Sequence, residues 1–252
     1  MHIVYVSDGK AGHRSQAVGL FKAMQRQYTD EVTFEEVNIQ DLPIFSLLMG
    51  MLIKSFRGFS KQPDYIFGVG SHTQLRVVLL GKIYRQAKTV ILLKAVDTQV
   101  ATNKDGIAKN GNVILTQGAL NPIINEQRHV PNRILIALGG SSKRHQWNEE
   151  KVLHSLKNLV DNNLQAEFIL TTSRRTPSEF LTHLKLESFA ENLNIFPVEE
   201  TPQGWIFEEM QKAEAVWVTE DSVSMIFEAL TAGCRVGVIE IDRLKQDRKS
   251  VV

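Results

Sequence analysis

Short apolar runs that end in small or polar turns, each followed by a segment with helical spacing, recur along most of the chain. This alternation constrains the fold more than any other feature. His2–Val6 reads as a buried strand entering a glycine-containing loop that ends at Gly12. From Ser15 to Gln27 the residues Val18, Phe21, Ala23 and Met24 fall near helical spacing. Val32–Val37, Tyr65–Val69, Thr89–Leu93 and Val113–Leu115 are further strand candidates, and Gln74–Tyr84 reads as a helix. After the polar, proline-marked stretch Asn125–Asn132 the rhythm restarts. Ile134–Leu138, Phe168–Thr171, Asn194–Phe196, Ala215–Val218 and Val236–Ile241 are strand-like, with a helix at Glu150–Val160 and helical stretches between the later strands. Strands alternating with helices predict parallel sheets covered on both faces, hence a two-lobed α/β protein. The lobe boundary is expected near Glu126–Asn132, giving residues 1–128 and 129–252.

The bulk numbers exclude several classes. Twenty-nine basic against 28 acidic side chains leave a net charge of +1, so the global basic footprint of a nucleic-acid binder is absent. With a single cysteine, Cys234, neither an intrachain disulfide nor a thiolate cluster can form. Met1–Val6 carries no signal-peptide pattern, and the apolar Leu47–Ile53 is far shorter than the ~20 residues a spanning helix needs, so a cytoplasmic protein is expected. Two stretches break the rhythm. Ala95–Asn112 is polar without a convincing strand and reads as a mobile loop, while Lys249–Val252 looks like the start of a helix whose continuation is missing.

The chemistry-bearing residues sit after strands. Thr219–Gly233 carries a polar turn and then a helix beginning near Asp221 or Ser222. Helix starts expose unpaired N–H groups and a partial positive charge, which suits phosphate. Glu228, six residues past Ser222, suits the hydroxyls of a ribose. The plainer alternative makes Asp221 or Ser222 a helix cap and Gly233 a C-terminal glycine, and both can hold together. Gly139-Gly140 follows one strand, and Thr172, Ser173, Arg174 and Arg175 follow another. Glycine permits close backbone approach, and arginine can grip phosphate with a two-pronged fork. A solvated Arg-Arg turn is the bland reading of that pair taken alone. All three segments fall at the carboxyl edge of one parallel sheet, where open α/β sheets bind ligands.

At the corresponding edge of the first sheet lies Ser7–Arg14, which lacks dinucleotide-fold and P-loop glycine spacing. Gly9 and Gly12 shape the loop, while His13 and Asp8 are candidate bases for abstracting a proton from a sugar hydroxyl. A turn-capping Asp8 and an exposed His13 are the structural alternatives. His72 follows Gly70-Ser71, with a helix capped by Ser71 expected there, and the remaining histidines show no metal-ligand spacing. Ile44–Phe59 is apolar on nearly every face and is followed or flanked by Lys54, Arg57 and Lys61. A helix buried between layers is the preferred reading, and a basic-flanked patch for a membrane or lipid acceptor is the alternative.

Taken together, Asp8-Gly9-x-x-Gly12-x-x-x-Gln16-x-x-Gly19-Leu20, Leu138-Gly139-Gly140, Thr171–Pro177 and Thr219-x-Asp221-Ser222-Val223-Ser224-Met225 resemble the ELM-type proteins, a family named after a plant mitochondrial-fission factor and rich in bacterial members. That family is similar in turn to GT-B glycosyltransferases of the MurG type, whose N-terminal loop Gly9-x-x-Gly12-His13 is similar to. The resemblance implies two Rossmann-like lobes with parallel sheets, an acceptor-side N-terminal lobe and a C-terminal lobe holding a sugar nucleotide, with Glu228 on its ribose. The C-terminal helices usual in the family are expected to be missing, and Ala95–Gly111 departs from the family pattern. The implied reaction moves a sugar from a UDP- or GDP-linked donor to a hydroxyl acceptor, such as a cell-envelope lipid or glycolipid at the inner membrane surface, with no metal or other cofactor required. A sugar-nucleotide epimerase and a non-catalytic adaptor are the rival readings.

Overall fold

The computed structural model describes residues 1–93, 99–102, 113–116, 118–187, 189 and 191–244. The chain divides into two compact units, Met1–Pro122 and Ile123–Val252. In the first, β1 (His2–Ser7), α1 (Ala11–Gln27), β2 (Thr33–Asn38), α2 (Ile44–Ile53), β3 (Tyr65–Val69), α3 (Ser71–Ile83), β4 (Lys88–Leu92), β5 (Gln99–Thr102) and β6 (Val113–Thr116) follow in order. The strands form one sheet in the order β2-β1-β3-β4-β5-β6, every pairing parallel. β1 lies between β2 and β3, and all six of its residues are buried, as a parallel strand covered on both faces requires. Ile3 and Tyr5 pack with Ala17 of α1 on one side, and Val6 packs with Leu47, Val77 and Leu80 of α2 and α3 on the other.

Several sequence expectations are corrected here. Gly12 lies inside α1 and does not end the loop, because Gly9 turns the chain at a φ of 77° and the Lys10 carbonyl already accepts the Arg14 N–H at 3.0 Å. Gly70, at a φ of 78°, occupies the N-cap of α3, so Ser71 is the first helical residue and does not cap it. Within the stretch read as a mobile loop, Gln99–Thr102 forms β5, paired between β4 and β6. Its four residues are too few, and half of them too polar, to reveal a strand without those neighbours. The rest of 95–112 lies outside the described residues, as does 249–252. The helix expected to be buried, α2, buries only Leu47 and Gly50. It packs on α3 with one face, and most of its other side chains are open to solvent.

The second unit runs β7 (Val130–Ala137), β8 (His145–Gln146), α4 (Glu149–Asp161), β9 (Glu167–Thr171), α5 (Ser178–Leu186), β10 (Leu193–Phe196), α6 (Trp205–Lys212), β11 (Ala213–Thr219), α7 (Val223–Ala232), β12 (Arg235–Ile239) and β13 (Asp242–Arg243). Its main sheet, also parallel throughout, has the order β10-β9-β7-β11-β12, and β8 pairs antiparallel with β13. Asn148 starts α4 by accepting the Lys151 N–H on its side chain at 3.1 Å, and Glu149 and Glu150 complement the positive helix end. Leu156, Phe168 and Phe180 fill the α4/α5 face, while Met210, Val216 and Ala229 fill the α6/α7 face. Among the described residues no helix is long and apolar enough to cross a membrane.

Gly19 tests the packing of the first unit. A Cβ there would lie 2.6 Å from the backbone carbonyl of Asn121. Alanine is the better helix former by roughly 0.5–1 kcal/mol, yet Gly19→Ala is expected to lower stability by about 1–3 kcal/mol because backbone must give way. A urea titration checks the sign: an unchanged or higher midpoint would show that α1 and the 121 segment do not meet this closely.

Candidate functional site

In the second sheet the strand order reverses between β7 and β11, which makes their carboxyl ends the place where ligands of such sheets bind. Three loops meet there. Gly139 and Gly140 follow β7, Thr172–Arg175 follows β9, and Glu220–Ser222 joins β11 to α7. The two glycines are demanded by crowding. A Cβ on Gly139 would sit 2.3 Å from Asp221 Oδ2 and 2.4 Å from Ser222 Oγ, and one on Gly140 would sit 2.0 Å from the Arg175 carbonyl oxygen.

Polar bonds tie the loops together. The Gly139 N–H donates to Thr219 Oγ1 at 2.7 Å, and the Gly140 N–H donates to Asp221 Oδ2 at 3.3 Å. Ser173 Oγ donates to the Gly139 carbonyl at 3.0 Å, and Thr176 Oγ1 accepts from the Ser173 N–H at 2.9 Å. Arg175 straps the set: Nη2 pairs with Asp221 Oδ2 at 2.7 Å and donates to Ser222 Oγ at 3.1 Å, and Nη1 reaches the Gly140 and Ser141 carbonyls at 3.3 Å each. The Asp221 side chain is 0% exposed against 44% for Arg175. Asp221 Oδ1 is buried and has no hydrogen-bond partner among the described residues. A carboxylate satisfied through one oxygen only is rare in a finished core.

Ser222 occupies the N-cap of α7, but its side chain makes no capping bond and turns to Arg175 and Asp221 instead. Gly233 does end the helix in the left-handed region at a φ of 90°. Glu228 is buried on α7, about 9 Å along the axis from Ser222 at the usual helical rise. Two expected site residues stand apart from the cluster. Thr172 accepts the Val198 N–H at 3.1 Å and so ties β9 to the turn after β10, while Arg174 is exposed.

In the first unit the order reverses between β1 and β3, and the loop after β1 carries Asp8 and His13. His13 Nδ1 lies 2.9 and 3.0 Å from the two Asp8 oxygens, and Lys10 Nζ lies 3.0 Å from Oδ2. The His13 ring rests on Gly70, whose added Cβ would come within 2.7 Å of Cε1. Burial alone would push the Asp8 carboxyl up, but bonds to Lys10 and the charge and bond of His13 outweigh it and hold the group below its ordinary value. Both plain alternatives fall short: Asp8 does accept the Lys10 N–H at 3.3 Å, yet it also orients His13, whose side chain is 18% exposed. Thr219, Thr176, Lys10 and Gly70 lie in the segments expected at these sites, but their bonding and spacing roles do not show in the sequence. Each is a strand-end or turn residue, a signal too common to single out. Among the described residues no group of three or more His, Cys, Asp or Glu could hold a metal ion.

The family described as Mitochondrial fission ELM1 matches residues 11–251. An uncharacterised protein of Rickettsia prowazekii, RP120, is 24% identical, with 92% of this chain and 81% of that protein covered. Among solved structures, UDP-GlcNAc 2-epimerase from Methanocaldococcus jannaschii is similar at a TM-score of 0.56 and 12% identity, covering 94% of this chain and 83% of that one. A glycosyl transferase of family 9 from Veillonella parvula is similar at a TM-score of 0.53 and 10% identity, covering 94% and 79%. At such identities the likeness concerns the fold, two Rossmann-like lobes of the GT-B kind.

The Asp8 shift has a defined sign. A carboxyl lowered by folding adds stability at neutral pH that is lost as pH falls through 3.8, its ordinary value, and below. Urea midpoints between pH 6 and 3 are expected to fall less steeply for Asp8→Asn than for the parent chain. Parallel curves would remove the Lys10 and His13 contacts as the cause.

Proposed function

The chain belongs to the mitochondrial fission ELM1 family, and we propose that it transfers a sugar from a nucleoside diphosphate sugar to a hydroxyl acceptor. The observation that carries this reading is the meeting of Gly139-Gly140, Ser173, Arg175 and Asp221-Ser222 at the β7/β11 reversal, directly before α7. In the reaction, the acceptor oxygen bonds to the anomeric carbon as the bond from that carbon to the diphosphate oxygen breaks. Arg175 exchanges Asp221 for a diphosphate oxygen, and the N-terminal amides of α7 face the charge that grows on the leaving group. Gly9 turns the first-unit loop, with Gly12 in the first turn of α1 behind it. Glu228 holds the ribose, and Ser173 belongs to the second-unit cluster, while Thr172 and Arg174 flank it. His13, with Nδ1 turned to Asp8, has Nε2 left to take the acceptor proton. The cations and helix end supply the neutralisation that a metal provides elsewhere. The donor nucleotide is UDP or GDP, and a lipid or glycolipid fits as acceptor.

Calorimetric titration with UDP and GDP tests the donor half. Saturable binding of one of them is expected, weakened about tenfold or more in Arg175→Ala, the scale of losing a charge-assisted bond. A folded chain that binds neither overturns the proposal and leaves the adaptor reading. Turnover separates the chemistry. Release of nucleoside diphosphate that depends on an acceptor and falls at least about a hundredfold in His13→Ala supports transfer with His13 as base. A changed sugar formed without any acceptor makes the chain an epimerase, like its structural neighbour from Methanocaldococcus jannaschii.

A further inference from the structure

The outer face of α2 is used by neither half of that reaction. Ile44, Phe45, Leu48, Met49, Leu52 and Ile53 recur at helical spacing along it and all are exposed, Phe45 at 75%, Leu52 at 71% and Ile53 at 68%. The inner face packs on α3 through Leu47 and Gly50, so the helix is apolar on both sides. A surface helix of a globular protein normally turns charge outward, and an apolar stripe of this length marks a place where something apolar is met. Beyond α2 the chain turns at Lys54, in the left-handed conformation, and opens a cleft of about 750 Å³ floored by Phe56, Phe59 and Tyr84. Lys54, Arg57, Lys61 and Arg85 line that cleft and are exposed, and none of its lining residues is acidic. Glu35, which faces this stretch at Ser60, is engaged by Ser60 and His2.

We infer that α2 and the basic cleft beside it dock this unit on an anionic lipid bilayer, the stripe entering the acyl boundary while the four cations meet lipid phosphates. Apolar residues flanked by lysine and arginine, with no carboxylate on the stripe or in the cleft lining, match the layering of such a surface, apolar within and anionic at the headgroups. A second copy of the chain would bring the same four cations against themselves. The inference deepens the acceptor side of the proposed function, but its binding step stands on the first unit alone.

Co-sedimentation of the full chain with phosphatidylglycerol vesicles, against vesicles of phosphatidylcholine alone, is the test. Binding to the first only is expected. Leu52→Ser/Ile53→Ser should weaken it about tenfold or more, and Arg57→Ala/Lys61→Ala likewise, each basic side chain contributing about fivefold. Raised salt should release the chain. Tryptophan emission of Phe45→Trp should shift to the blue on the anionic vesicles beyond any shift of the parent chain, which reads insertion without depending on the serine variants folding. Equal binding to both vesicles, no binding, or a dimer that Leu52→Ser/Ile53→Ser turns into a monomer would overturn the inference. Nucleotide titration is measured separately, so a chain that binds vesicles but neither UDP nor GDP keeps this inference and loses the proposed function.

Discussion

The second unit is organised around the crossing of Gly139-Gly140 beneath Asp221, Ser222 and the Arg175 backbone, where no Cβ fits. That close approach lets backbone N–H groups face the end of β11, and it brings Arg175 within reach of Asp221. The arginine then satisfies one oxygen of a wholly buried carboxylate while keeping nearly half of its own side chain in solvent. Such an asymmetric pair can exchange partners. Its exposed member is free to turn to an incoming anion, and the buried member keeps bonds from Gly140 and Ser222.

The first unit answers the same topological problem with different chemistry. Its reversal point lies beside β1, a strand buried along its whole length, which makes the loop after it a fixed platform. On that platform Asp8 is held by Lys10 and His13, and Gly70 leaves room for the imidazole. The carboxylate fixes one ring nitrogen, which is the arrangement a histidine needs to act as a base through the other. The helix α2 departs from this economy, since most of its apolar side chains contribute nothing to the core.

The fold was largely legible along the chain because its signals are local. Tyr65–Val69 is a strand in both readings, and most other elements differ only at their ends, as expected when capping rather than periodicity sets a boundary. α1 and α3 begin earlier than periodicity suggests, since Gly9 reverses the chain at positive φ immediately before the Lys10 cap and Gly70 does so at the cap itself. β5 was illegible because its evidence is its neighbours, β4 and β6. The site was legible as three loops at one sheet edge but not as a bonded cluster. Thr172 and Arg174 looked equivalent to Ser173 and Arg175, and only their bonds separate them.

By itself the sequence determined the alternation of strands and helices, the glycine turns and the residue types at the strand ends, because hydrophobic period and backbone freedom are properties of neighbouring residues. Tertiary structure decided which polar groups are spent on one another. Ser222 bonds Arg175 rather than capping α7, His13 turns to Asp8, and the stripe of α2 stays outside although its composition reads as core. Those outcomes depend on distances between segments far apart in the chain, and no local pattern encodes them.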